Sequence, residues 1–120
     1  MQTFIVLGSI LMAVAVAMGA FGAHALKSKL EPEKLKVYET GVQYHIIHAI
    51  GLIAVGVLIS QYPDVGMIKL AGWFMAAGIV LFSGSLYVLS MKRIRLMGPI
   101  TPLGGLSFII AWVLVALGVM

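Results

Sequence analysis

Uncharged, mostly apolar runs extend from Met1 to Leu26, Thr40 to Pro63, Leu70 to Met91 and Leu96 to Met120, with charged residues gathered in short clusters between them. Each run exceeds the roughly 20 residues that, at a rise of about 1.5 Å each, cross a hydrocarbon core about 30 Å thick. Hydrocarbon offers a backbone amide no partner outside its own segment, so each run must be helical where it meets lipid. The pattern predicts an all-α, integral membrane four-helix bundle. It forms a single transmembrane domain over residues 1–120, with helices at about 4–26, 33–61, 68–91 and 102–120. Glu31-Pro32-Glu33 marks the second start, because proline is tolerated in a first turn and carboxylates favour the positive end of the helix dipole. Thr101-Pro102 follows the same logic at the fourth start, a capping hydroxyl followed by proline, and leaves residues 92–100 as a basic loop.

Composition agrees with a bilayer environment: 62% of residues are hydrophobic and 10% charged, against roughly a quarter charged in soluble domains. The absence of cysteine excludes disulfides, thiolate metal sites and thiol nucleophiles. A net charge of +4 would suit nucleic acid, but seven of the eight Lys and Arg residues flank apolar spans. Those positions answer to a membrane surface, and no nucleic-acid partner is expected. Ala23-His24-Ala25 has the small-x-small form of a signal cleavage site. No Lys or Arg precedes that first run, however, and Lys27, Lys29, Lys34 and Lys36 follow it, so it is read as a retained helix. The third loop carries Lys92, Arg93 and Arg95 and the middle loop only Lys69. The positive-inside rule then makes the basic loops cytoplasmic and puts both termini outside, in a multi-pass protein of the bacterial cell (inner) membrane. Tyr62 and Trp73 suit an outer aromatic belt.

Two rows of small residues, Ser9, Ala13, Ala17 and Ala15, Gly19, Ala23, line the first helix. Small rows let helices approach closely in lipid, so this helix is expected to be the most buried span, against a neighbour or another copy in a homo-oligomer. The polar residues of the spans form a candidate intramembrane cluster: His24, Glu39, Gln43, His45, His48, Ser83, Ser85 and Tyr87, with Tyr44 beside them. Counted inward from the basic ends, His24 and Glu39 lie at matching depths of about 4.5 Å, and His45, His48 and Ser83 at roughly 13 to 18 Å. His24 and Glu39 are expected to face each other; the alternative is that both reach the headgroup region separately.

His45 and His48 share a helical face with Tyr38, Gly41 and Leu52. His24 stands roughly 13 Å in depth from His48, whereas ligands of one ion lie about 2 Å from it. Interhelical hydrogen bonding is preferred over ligation, and neither a metal nor a cofactor is expected. Ser83-Gly84-Ser85 lies within a helix and not on the strand-to-helix turn of a nucleophile elbow, so packing is preferred over a serine hydrolase with His45 as base. No catalytic residue is assigned.

Gly98-Pro99-Ile100-Thr101-Pro102-Leu103-Gly104-Gly105 follows the third basic cluster. Lys92, Arg93, Arg95, Gly98, Thr101, Gly104 and Gly105 form a candidate contact for anionic lipid headgroups at a helix N-terminus; a tight turn is the alternative. This stretch with Trp112, together with Gly19-Ala20-Phe21-Gly22-Ala23-His24-Ala25-Leu26, Tyr44 with His48, and Leu81-Phe82-Ser83-Gly84-Ser85-Leu86-Tyr87, resembles the signature blocks of the YwdK/YgdD-like family. The resemblance spans the chain in order. It implies a small four-helix inner-membrane protein and, since that family is a domain of unknown function, no activity. The expected role is a non-enzymatic oligomeric or accessory component interacting with the lipid bilayer. The alternatives are a proton-coupled or small-solute transporter subunit relaying through His24, Glu39 and His45, and a haem-, metal- or quinone-binding protein.

Overall fold

The computed structural model describes residues 2–91 and 97–120. Among them lie four helices long and apolar enough to cross a membrane: α1 (Gln2–Leu26), α2 (Pro32–Gln61), α3 (Gly66–Met91) and α4 (Met97–Val119). The protein is an all-α, multi-pass membrane protein. Two helices contain one wide turn each, with i→i+5 pairing: Gly22–Leu26 at the end of α1 and Ile79–Ser83 within α3. Such turns recur at functional positions.

The first three helices start at Gln2, Pro32 and Gly66, each within two residues of the expected 4, 33 and 68. Glu31 is the extended cap of α2 and Pro32 its first helical residue, where the missing N–H costs nothing. The fourth start differs. α4 begins at Met97, and Pro102 lies inside it. Pro99 falls in the first described turn, where proline is tolerated. Pro102 withdraws a donor from the Gly98 carbonyl, but Gly98 is exposed and nothing lies where its Cβ would be, so that carbonyl is free to meet the interface.

Packing follows chain order, α1 on α2, α2 on α3 and α3 on α4. The shared core joins Phe4, Leu52, Val55, Ile59, Ile68, Met75, Ile79, Phe108 and Ala111. Glycines set the closest approaches. A Cβ on Gly8 would stand 2.7 Å from the Ala49 carbonyl, and one on Gly104 would stand 2.3 Å from the Phe82 nitrogen. At both points one helix backbone presses on the next.

Within a single chain the first helix is not the most buried span. Within its apolar window 17% of α1 is buried, against 44% for α2. Gly8, Ala15 and Gly22 turn inward, while Ser9, Ala13 and Ala17 face outward, and Ser9 satisfies its hydroxyl on the Ile5 carbonyl at 2.7 Å. A small row allows close approach without fixing how many neighbours a helix has. α2 is the buried element because it receives both α1 and α3.

Candidate functional site

The face of α2 formed by Tyr38, Gly41, His45, His48 and Leu52 is buried along its length. At its lower end the Tyr38 hydroxyl donates to the Met18 carbonyl of α1, and its ring lies 5.3 Å from that of Tyr87. Tyr87 fits because residue 41 is glycine: a Cβ there would meet its ring at 3.0 Å. The Tyr87 hydroxyl in turn lies 2.8 Å from His45 Nδ1. His45 is 3% exposed, and among the described residues its Nε2 has no hydrogen-bond partner. One histidine thus joins α2 to α3 through a single nitrogen.

His48 has both nitrogens occupied. Nδ1 lies 2.8 Å from the Tyr44 carbonyl, and Nε2 lies 2.9 Å from the indole nitrogen of Trp112 in α4. A carbonyl only accepts and an indole N–H only donates, so the ring is the neutral tautomer with its proton on Nδ1. Neither nitrogen is free to bind a metal or accept another proton without breaking a bond that is already made. The ring also stacks on Phe108, with centroids 3.5 Å apart and planes at 10°.

Ser83 and Ser85 take different roles. Ser83 ends the wide turn of α3 and is fully buried, and its hydroxyl has no partner among the described residues. Ser85 Oγ lies 2.8 Å from the Phe82 carbonyl and 2.6 Å from Thr101 Oγ1, which also reaches the Met97 carbonyl at 3.0 Å. Among the described residues neither serine is hydrogen-bonded to a histidine.

The structure therefore divides the predicted cluster. His45 and Tyr87 meet, and Ser85 meets Thr101. His24, Glu39 and Gln43 are exposed, and among the described residues no hydrogen bond or ion pair joins His24 to Glu39. The expected facing pair is not formed, because matching depth leaves the angular position of each side chain open; the wide turn Gly22–Leu26 carries His24 while Glu39 sits beside Gly19 and Ala23. The predicted anion contact is also redistributed. Thr101, Gly104 and Gly105 lie inside α4 and not at its N-terminus. Gly104 packs on the Phe82 backbone, and the Thr101 hydroxyl is engaged. Gly98 stays exposed in the first turn; Lys92, Arg93 and Arg95 fall outside the described residues.

Sequence reading missed the aromatic side chains between α2 and α4. The two helices do not pack backbone to backbone; Trp112 and Phe108 reach across to His48 and Tyr44. The gap is a groove of about 610 Å³, floored by Tyr44, His48, Phe82, Phe108 and Trp112 and opened by Gly105. The usable signal was Gly105, Phe108 and Trp112 on one stripe of α4, at helical spacing. A second groove of about 330 Å³ separates α1 from α2 and is lined in part by Glu39 and Gln43.

Comparison with known proteins adds a family. A family model described as "Protein of unknown function (DUF423)" matches residues 18–105. Over 115 residues the chain is 52% identical to the UPF0382 membrane protein YwdK of Bacillus subtilis, covering 96% of this chain and 94% of that one. It is 45% identical over 114 residues to a UPF0382 membrane protein of Staphylococcus haemolyticus, covering 95% and 92%. It is 43% identical over 118 residues to one of Staphylococcus saprophyticus, covering 98% and 97%. No solved structure matches the chain.

Proposed function

The chain belongs to the DUF423 family of membrane proteins, and from that premise we propose that it is a non-enzymatic component of the bacterial cell membrane that holds an apolar lipid chain between α2 and α4. The observation that carries this reading is the groove of about 610 Å³, floored by aromatic rings and lying along helices that meet lipid. Concave, mostly apolar sites with few polar groups are the usual form of a small-molecule site. The imidazole and indole nitrogens of this one are already satisfied, since Trp112 donates to His48 and His48 to the Tyr44 carbonyl. An apolar chain can therefore enter without breaking the His48 hydrogen bonds.

The transport reading has less support. Of its relay residues, His24 and Glu39 are exposed and His45 is enclosed, bonded to Tyr87.

The test is lipid retention through purification, read by native mass spectrometry. Gly105→Leu is the informative variant: a Cβ there meets Phe82 at an ordinary 3.7 Å, so the helices need not move while the longer side chain fills the groove. The wild type should retain lipid, and Gly105→Leu should retain about tenfold less. Equal retention by the two proteins, or none by the wild type, rejects the reading.

A further inference from the structure

Glu39 stands seven residues beyond Pro32 in α2 and is followed by no charged residue until Asp64. It is the most deeply placed carboxylate of any span. Gln43, one turn on, shares its side of the helix. Both line the groove of about 330 Å³ between α1 and α2. Both are exposed, and among the described residues neither is hydrogen-bonded or ion-paired through its side chain.

The opposite wall is built from Gly19, Gly22 and Ala23, so α1 offers nothing larger than a methyl group. Packing alone explains one of these. A Cβ on Gly22 would strike the Tyr38 ring at 2.4 Å, whereas one on Gly19 would meet Val42 at an ordinary 3.5 Å. The space beside Gly19 is thus not required by the contact between the helices.

Charge decides what fits. A carboxylate at the edge of the hydrocarbon gains most from a cation brought to it, since water is scarce there. Lys36 precedes Glu39 by three residues, a separation that places the two Cβ atoms about 5–6 Å apart. They form no ion pair among the described residues. Lys36 is exposed, one turn from Glu39 toward the start of α2, outside the groove that Glu39 lines. A positive group beside a negative one at the end of an apolar groove complements a headgroup that carries both signs and an acyl chain. A headgroup with a phosphate alone would leave Glu39 opposed to it, and a bare amine would face Lys36.

We infer that the α1–α2 groove binds a zwitterionic phospholipid with a primary-amine headgroup: the amine donates to Glu39 and Gln43, Lys36 meets the phosphate, and an acyl chain lies along Val42 and Ile46. This site is separate from the α2–α4 groove and does not depend on it.

Nanodiscs containing equal parts phosphatidylethanolamine, phosphatidylcholine and phosphatidylglycerol provide the test, with bound lipid identified by native mass spectrometry after extraction. Phosphatidylethanolamine should be retained about threefold or more over either competitor, reflecting charge-assisted hydrogen bonds that a quaternary ammonium cannot donate. Glu39→Gln should remove that preference. Gly19→Leu, which fills the groove without a backbone clash, should lower phosphatidylethanolamine retention, and Gly105→Leu should leave the preference intact. Equal retention of phosphatidylcholine, preferential retention of phosphatidylglycerol, or a preference that survives Glu39→Gln overturns the inference. Loss of the preference in Gly105→Leu would place the selective lipid in the other groove and overturn it as well.

Discussion

Single residues decide how closely these helices lie. Gly104 and Gly84 stand on neighbouring helices with opposite surroundings: a Cβ on Gly104 would come within 2.7 Å of the Phe82 Cα, whereas nothing lies within 4 Å of one on Gly84. Backbone cannot rotate aside as a side chain can. Gly104→Ala should therefore destabilise the protein by about 3 kcal/mol, the upper end of ordinary overpacking. Gly84→Ala, in helical conformation already, should be neutral or stabilising by up to about 1 kcal/mol. Thermal unfolding in one detergent measures both, and equal effects would contradict the packing described. The same scale shows what the sequence conceals. Gly104 and Gly105 are adjacent and look alike, yet one carries a backbone contact and the other opens a groove. That distinction depends on which neighbour each one faces.

At the level of whole helices, α2 and α4 are joined across a gap and not by a packed seam. Their polar link is the Trp112 to His48 hydrogen bond, in an apolar setting where each partner depends on the other. Trp112→Phe leaves the His48 Nε2 lone pair without a donor, and His48→Phe leaves the indole N–H without an acceptor. A double-mutant cycle should give a coupling of about 0.6 to 1.7 kcal/mol, the range found for hydrogen bonds between membrane helices. A coupling of zero would mean that the aromatic stack alone holds the gap. The spans and three of the four starts were legible because lipid demands long uncharged runs and because Glu31-Pro32-Glu33 has one sensible place in a helix. The start of α4 was not: two prolines three residues apart, Pro99 and Pro102, both suit a first turn, and only the exposure of Gly98 lets the helix accept the second. The buried face of α2 was legible from spacing, since Tyr38, Gly41, His45, His48 and Leu52 recur on one side. The aromatic groove was legible only in the Gly105, Phe108 and Trp112 stripe of α4, because Phe82, Phe108 and Trp112 are apolar residues in apolar helices and give little contrast.

For the molecule as a whole, the charges near the ends of its spans predict which way it lies in the membrane. Lys27 and Lys29 before α2 and Lys34 and Lys36 in its first turns, with three basic residues between α3 and α4, stand against Lys69 alone, in the first turn of α3. Lys and Arg are held on the cytoplasmic side, so both termini are predicted outside. Reporter fusions should be active outside at the N-terminus and at Met120. Replacing Lys27, Lys29, Lys34 and Lys36 with Gln leaves three basic residues against one, and the C-terminal signal should then become mixed, because orientation follows the charge difference. A cytoplasmic C-terminus in the unaltered chain would refute the orientation while leaving the helices untouched. The predicted orientation extends to the two grooves. If α2 enters from the cytoplasm, Glu39 belongs to the inner leaflet, and the rings at Tyr44, His48 and Trp112 lie deeper, toward the midplane. In that orientation an amine headgroup reaches Glu39 only from the cytoplasmic leaflet. Lipid added to one leaflet of oriented vesicles should therefore occupy the α1–α2 groove from that side alone.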